Sequence, residues 1–180
     1  MSLYFADQSW PQLQEAIENK AIILLPVGTI EEHGRHLPVS TDAVIATEVA
    51  RGLAEALQGE LPVLVIPTIW TGYSTKDMAR WPGTMRVRTR VLMDLIFDVC
   101  ASLIEMGFQK IIMLDCHGHH DNVLKTVTRE IADAYEVYLA VISPAALSAE
   151  RYREIRKSEI GGSIHGGEWE TSLMLYFNQP

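Results

Sequence analysis

Four apolar runs stand out along the chain: AIILLPV (residues 21–27), LPVLVIPTI (61–69), KIIMLDC (110–116) and EVYLAVIS (136–143). The first is apolar throughout and the others nearly so, the pattern of strands covered by helices on both faces of a parallel sheet. Between them, apolar residues recur at helical spacing. Ile45, Val49, Leu53 and Leu57 share one face of residues 41–57, with Thr41 or Asp42 as the cap and Gly59 as the stop. Leu92, Leu95, Ile96, Val99, Leu103 and Met106 mark residues 89–106, closed by Gly107. Residues 122–135 read as a third helix capped by Asn122, and the alanine-rich stretch 144–157 as a fourth. Alternating strands and helices predict an α/β fold: a single-domain three-layer α/β/α arrangement over residues 1–180, with a mostly parallel sheet and right-handed crossovers.

Composition narrows the function more than the fold. Hydrophobic residues make up 48% of 180 positions, enough for a sizeable core and outside the range of disordered chains. The formal net charge of -8 argues against a nucleic-acid binder, which carries a basic patch or stripe. The opening MSLYFADQSW has no basic start and no long apolar centre, so no signal peptide is expected. No run approaches the roughly 20 apolar residues of a spanning helix. The two cysteines, Cys100 and Cys116, form no spaced framework and read as free thiols of a reducing compartment. A cytoplasmic protein acting on a small molecule, with no nucleic acid or membrane partner, is the expectation.

The costly polar residues are concentrated. In sheets of this kind, ligands bind beyond the carboxyl ends of the strands. The first run is followed by Glu31, Glu32, His33, His36 and Asp42, and the third by HGHHD, His117 to Asp121. A late segment, HGGEWETS, adds His165, Glu168 and Glu170. Glu31 and His33 are two apart, as are His117 and His119, so an extended backbone would turn each pair to one side. Each cluster alone reads equally well as a solvated loop. Together, imidazoles and carboxylates are the donors expected for zinc, manganese or iron, and the lack of a thiolate cluster argues against a structural zinc site. Cys116 reads as a small buried residue at a strand end. As a nucleophile with His117 as base it would need both side chains on one face, whereas neighbours on a strand face opposite ways. His165, the only histidine outside the two clusters, is the candidate to move a proton, and Trp169 is a candidate pocket wall.

These motifs resemble the creatininase (creatinine amidohydrolase) family of metal-dependent hydrolases. LPVGTIEEHGRHLPVSTD is similar to its N-terminal signature and WPGTMRV (81–87) to its proline-glycine-threonine segment. DCHGHHDN is similar to its asparagine-glycine-histidine loop, and HGGEWETSLML to its closing motif. The resemblance implies a creatininase-like fold and two divalent metal ions per subunit, zinc, manganese or iron. They would be held by Glu31, His33, Asp42, His117 and His119. Asp42 would bridge both ions, Glu31 and His117 would complete one shell, and His33 and His119 would serve the other. His165 would contact substrate and handle protons, Glu170 would bind metal or act from just behind it, and Ser74 would touch substrate. A homo-oligomer, a hexamer, is also implied. The sequence departs from the pattern at His119, where creatininase itself has a glutamate, so the site carries one negative charge fewer; Asp121 is the alternative ligand. Asp115 and Cys116 stand in place of the loop's usual asparagine and glycine, and the chain is shorter than typical creatininases.

The implied reaction is hydrolysis of a C–N bond in a small cyclic amide or amidine, by water that two divalent cations make nucleophilic near neutral pH. Some relatives open a cyclic polyol ketone ring by the same water activation, and a more distant one trims a peptide. A non-catalytic metal-binding protein would keep the ligands and need no proton-transfer residue. A thiol enzyme using Cys116 would resist chelators.

Overall fold

The computed structural model describes residues 2–177. Its principal elements are, in order, α1 (Trp10–Glu18), β1 (Ile22–Val27), α2 (Thr41–Ala56), β2 (Val63–Val65), α3 (Thr89–Met106), β3 (Lys110–Asp115), α4 (Asp121–Tyr135), β4 (Ala140–Ile142), α5 (Pro144–Leu147), α6 (Ala149–Ile155) and α7 (Glu168–Tyr176). Among the described residues, four strands form a parallel sheet in the order β2-β1-β3-β4. β1 and β3 pair from Ile22 with Lys110 to Val27 with Asp115, so the two central strands end level. The Cys116 amide donates to the Val27 carbonyl at 3.0 Å, which continues the register by one bond. The loops that leave β1 and β3 therefore start side by side at the carboxyl edge.

Alternate residues of β1 feed two separate cores. Ile23, Leu25 and Val27 pack with Leu92, Ile96, Cys100 and Leu103 of α3 and with Leu124, Val127 and Ile131 of α4. Leu24 packs with Ala50 and Ala54 of α2, with Val63 and Val65 of β2, and with Leu114 of β3. A strand apolar on both faces needs a helical layer on each, and the three-layer α/β/α architecture follows. The start of α2 sits hard against the end of β1: a Cβ on Gly28 would stand 2.7 Å from the Ala43 backbone. That close approach brings Asp42, in the first turn of α2, over the carboxyl edge.

Several elements differ from the expectation. The strands expected over 61–69 and 136–143 are three residues each, Val63–Val65 and Ala140–Ile142. Both lie at sheet edges, β2 meeting on its outer side only a single bridge from Tyr4 to Val65, and Pro62 and Pro67, flanking β2, have no N–H to donate. The helix expected over 144–157 breaks at Ser148, whose hydroxyl bonds back to the Pro144 carbonyl at 2.8 Å. Helix α4 starts at Asp121 with His120, not Asn122, as its flanking residue. Two helices lie outside the expected set. α1 opens on a capping arrangement in which the Ser9 amide donates to Gln12 Oε1 at 2.8 Å, with Pro11 in the first turn. α7 opens at Gly167, where Glu170 Oε2 accepts the Gly167 amide at 3.3 Å. Among the described residues, no helix is long and apolar enough to cross a membrane.

Candidate metal centre

Three segments converge at the carboxyl edge. The β1–α2 connection supplies Glu31 and His33, and the first turn of α2 supplies Asp42. The β3–α4 turn supplies His117, His119 and His120, and the start of α7 supplies Glu170. Most of these polar groups are withdrawn from solvent: Glu31 is 0% exposed, His33 and Asp42 are each 1% exposed, and His117 is 7% exposed, while Glu170 is half-buried and His119 is exposed. Burying this much charge is tolerated only where opposite charge and hydrogen bonds compensate it.

Asp42 is the hub. Its Oδ1 accepts from His33 Nε2 at 3.1 Å and its Oδ2 from His117 Nδ1 at 2.8 Å. The other nitrogen of each ring also donates, His33 Nδ1 to the Glu31 carbonyl at 2.9 Å and His117 Nε2 to the Tyr73 carbonyl at 3.1 Å. An imidazole that donates from both nitrogens is an imidazolium. Burial alone would lower the pKa of His33, but the hydrogen bonds to Asp42 and Glu170 outweigh it and hold it raised. His117 shows the same balance: burial lowers its pKa, and Asp42, aided by Glu31, raises it. Burial would raise Asp42, and its bonds from His117 and His33 keep it below the usual carboxylate range. The cluster thus draws positive charge to a buried point between these side chains.

The side chains sort into two groups whose ligand atoms lie within 4.8 Å of one another: Glu31 with His117 and His119, and His33 with Asp42 and Glu170. Glu31 Oε2 accepts from the buried Ser74 hydroxyl and lies 3.4 Å from His117 Nε2, while Glu31 Oε1 is buried with no hydrogen-bond partner among the described residues. A buried carboxylate oxygen left without a partner costs about 1–3 kcal/mol, so it is a place where a cation fits. Nitrogen and carboxylate donors without thiolate suit zinc, manganese or iron in an open site. The residues present fit a pair of divalent cations.

The grouping differs from the implied shells in one respect. His119 stands with Glu31 and His117, and Glu170 takes the place beside His33, with Oε1 at 3.7 Å from His33 Nε2. The reason is local. Residues 117–120 form a turn closed by the His120 amide on the His117 carbonyl at 3.1 Å, rather than an extended stretch, so the spacing of two acts through the turn. Asp121 points elsewhere and pairs with Lys125 at 2.7 Å.

His165 lies over His33 with ring centroids 4.5 Å apart. Its Nε2 donates to the Glu32 carbonyl at 2.6 Å, and its Nδ1 is 4.0 Å from Glu31 Oε1. Trp169 lines a cavity of about 280 Å³ together with Cys116, His117, Ser143, Tyr152 and Glu170. Burial, with the carboxylates of Asp115 and Asp42, pushes the Cys116 thiol well above its ordinary pKa, which opposes the thiolate a nucleophile needs.

Several supports carry no expectation from the sequence. His36 Nε2 donates to the Gly166 carbonyl at 3.0 Å and fastens the β1–α2 connection to the segment bearing His165. Thr84 Oγ1 accepts the Glu32 amide at 3.2 Å, and Arg86 Nη1 donates to the Ser74 carbonyl at 3.2 Å. Thr84 and Arg86 belong to WPGTMRV, a motif whose place in the resemblance was its only signal.

A 28% identical relative, 3-dehydro-scyllo-inosose hydrolase of Thermotoga maritima, aligns with 96% of this chain, which spans 55% of that protein. Creatinine amidohydrolase of Pseudomonas putida is 26% identical over 97% of this chain and 71% of its own length. Mycofactocin precursor peptide peptidase of Mycobacterium tuberculosis is 34% identical over 87% of this chain and 58% of its own length. The chain thus spans little more than half the length of two of these three relatives. Among solved structures, one described as "Creatininase Mn" superposes with a TM-score of 0.79 at 24% identity, covering 97% of this chain and 72% of that one. A zinc–zinc form of a creatininase mutant superposes equally well, at 23% identity over the same shares. The model of the creatininase family, described as creatinine amidohydrolase, matches residues 6–179, and the chain belongs to that family.

Proposed function

We propose that this protein is a metal-dependent hydrolase that cleaves a C–N bond of a small cyclic amide or amidine. The observation that supports it most is the convergence of two largely buried donor groups, open to solvent at His119, on Asp42 at the carboxyl edge of the sheet. Glu31, His117 and His119 would hold one divalent cation, and His33, Asp42 and Glu170 the other. Asp42 meets an imidazole of each group with a different oxygen, which suits it to serve both. Such a pair supplies Lewis acidity and lowers the pKa of water from about 15.7 toward about 7.

The chain's own residues do the rest. His165 has Nε2 committed to the Glu32 carbonyl, which leaves Nδ1 to take and return a proton on the side facing Glu31. The leaving nitrogen is protonated from that atom. Trp169 and Tyr152 wall the adjoining cavity, orient a small ring and exclude water. Ser74 fixes Glu31 through one oxygen and leaves the other free. Family resemblance adds a homo-oligomer, which sedimentation analysis of the purified protein checks.

The experiment is elemental analysis of purified protein for metal per chain, then a panel of lactams, cyclic amidines, cyclic polyol ketones and short peptides on the same sample. The reading expects two equivalents of metal and turnover of a cyclic amide or amidine that a chelator abolishes. Turnover confined to a cyclic ketone would move the protein toward the reaction named for the Thermotoga relative, and confined to peptides toward that named for the mycobacterial one. Two bound ions with no turnover anywhere would mean a binding protein.

A further inference from the structure

His120 is fully buried at 0% exposure, the innermost of the three histidines in its turn, and neither metal group includes it. Its ring stands edge-on to His117 with centroids 4.6 Å apart. Its Nε2 accepts the Tyr73 amide at 3.1 Å across 47 residues of sequence. A ring nitrogen that accepts an amide carries no proton, so the ring's hydrogen sits on Nδ1.

The main chain it grips is the strip that touches two of the candidate ligands. The Tyr73 carbonyl accepts from His117 Nε2 at 3.1 Å, and the next side chain, Ser74, donates to Glu31 Oε2. The far side of the strip is tied down as well: the Gly72 carbonyl accepts the Val87 amide at 2.9 Å, and the Ser74 carbonyl accepts from Arg86 at 3.2 Å. Residue 72 has to be glycine here, because a Cβ would stand 2.1 Å from His120 Nε2. The strip and the ring are fitted to each other.

We infer that His120 is a positioning residue for the metal centre: by receiving the Tyr73 amide it seats residues 72–74 so that Tyr73 and Ser74 hold His117 and Glu31 in register for the same cation. The inference rests on the proposed metal function, and it makes the centre a seven-residue device in which one histidine acts on the ion through the backbone. Groups that orient metal ligands typically change metal affinity by about 10–100-fold when removed. His120→Phe keeps a flat ring of similar volume and deletes the acceptor. His120→Gln carries an oxygen at nearly the place of Nε2 and restores it.

Calorimetric titration of chelator-stripped protein with Mn²⁺ and with Zn²⁺ resolves the two sites. The expected result is two ions in the wild type, one of them weakened about 10–100-fold in His120→Phe, and recovery in His120→Gln. Wild-type affinity at both sites in His120→Phe would overturn the inference and leave the metal function standing. Equal loss in the Phe and Gln variants would also overturn it, because the acceptor would then be irrelevant. If the wild type takes up no ions, the metal function fails and takes this inference with it. A second measurement needs no variant: the Tyr73 amide of the wild type should exchange with solvent far more slowly than an open-loop amide, and open-loop exchange would overturn the inference.

Discussion

Glu31→Gln separates the two halves of the centre. The substitution keeps the size of the side chain and an oxygen to accept from Ser74, and it removes the charge from the buried oxygen that has no partner. Glu31 belongs to one donor group and not to the other, His33 with Asp42 and Glu170, and Asp42 is the side chain that reaches both. Loss of binding should therefore be confined to one ion. A ligand that binds only the native state stabilises it by about 2.7 kcal/mol at 100 times its dissociation constant. Two such sites contribute about 5–6 kcal/mol, and in a domain of 150–250 residues each kcal/mol raises Tm by about 2–4 °C. Metal should raise the wild-type Tm by roughly 10–20 °C over the chelated form, and the Tm of Glu31→Gln by about half as much. The comparison is each protein against its own chelated form, so any change in the intrinsic stability of the variant drops out. Differential scanning calorimetry with excess EDTA, and again with saturating Mn²⁺ or Zn²⁺, reads both numbers. Glu170→Gln, from the other group, should halve the shift in the same way, and Asp42→Asn should remove it. A full wild-type shift in Glu31→Gln would refute the assignment of Glu31 to a cation.

The other predictions concern proton transfer, thiols and acid stability. His165→Ala should bind metal as the wild type does and lose about 10²–10⁴-fold in turnover, measured on whichever substrate the panel finds; unchanged turnover would remove His165 from the reaction. Burial holds the Cys100 thiol up at about 12 and Cys116 well above its ordinary value, so iodoacetamide at pH 7 should label Cys100 only on unfolding and the half-buried Cys116 only slowly. Rapid labelling of Cys116 with parallel loss of activity would revive a thiol mechanism. Hydrogen bonds from Ser158 and Lys157 hold the Glu168 carboxyl at about 2, down from 4.5, so its contribution is complete above pH 4.5 and fades as pH falls toward 2. Thermal melts should lose stability over that window, and Glu168→Gln should flatten the loss; a variant with the wild-type acid profile would contradict this role.

The legible parts of this protein were those governed by short-range pattern. The apolar runs of β1 and β3 announced strands buried on both faces, because they are too short for a typical helix, rich in β-branched residues and bounded by turn residues. The family's motifs pointed to Glu31, His33, Asp42, His117 and His119, with Glu170 as ligand or as support from behind, and these side chains lie near one another at one edge of the sheet. What stayed hidden depends on contacts between distant segments. The partnering of Glu170 with His33 is set by how α7 docks on the β1–α2 connection, and no spacing encodes that. His120 read as one more loop histidine because its burial requires Gly72. The missed α1 did carry a local signal, a serine followed three residues later by glutamine with a proline between, but its face is mostly exposed and its apolar stripe is thin.

The most direct measurement of the central claim is a crystal structure of protein loaded with manganese or zinc, with anomalous scattering collected to place the ions. The account predicts two peaks per chain, one among Glu31, His117 and His119 and one among His33, Asp42 and Glu170, with Asp42 lying between them. Crystals grown in excess metal that show no peak at Asp42, with His33 and His117 still donating to its carboxylate, would contradict it.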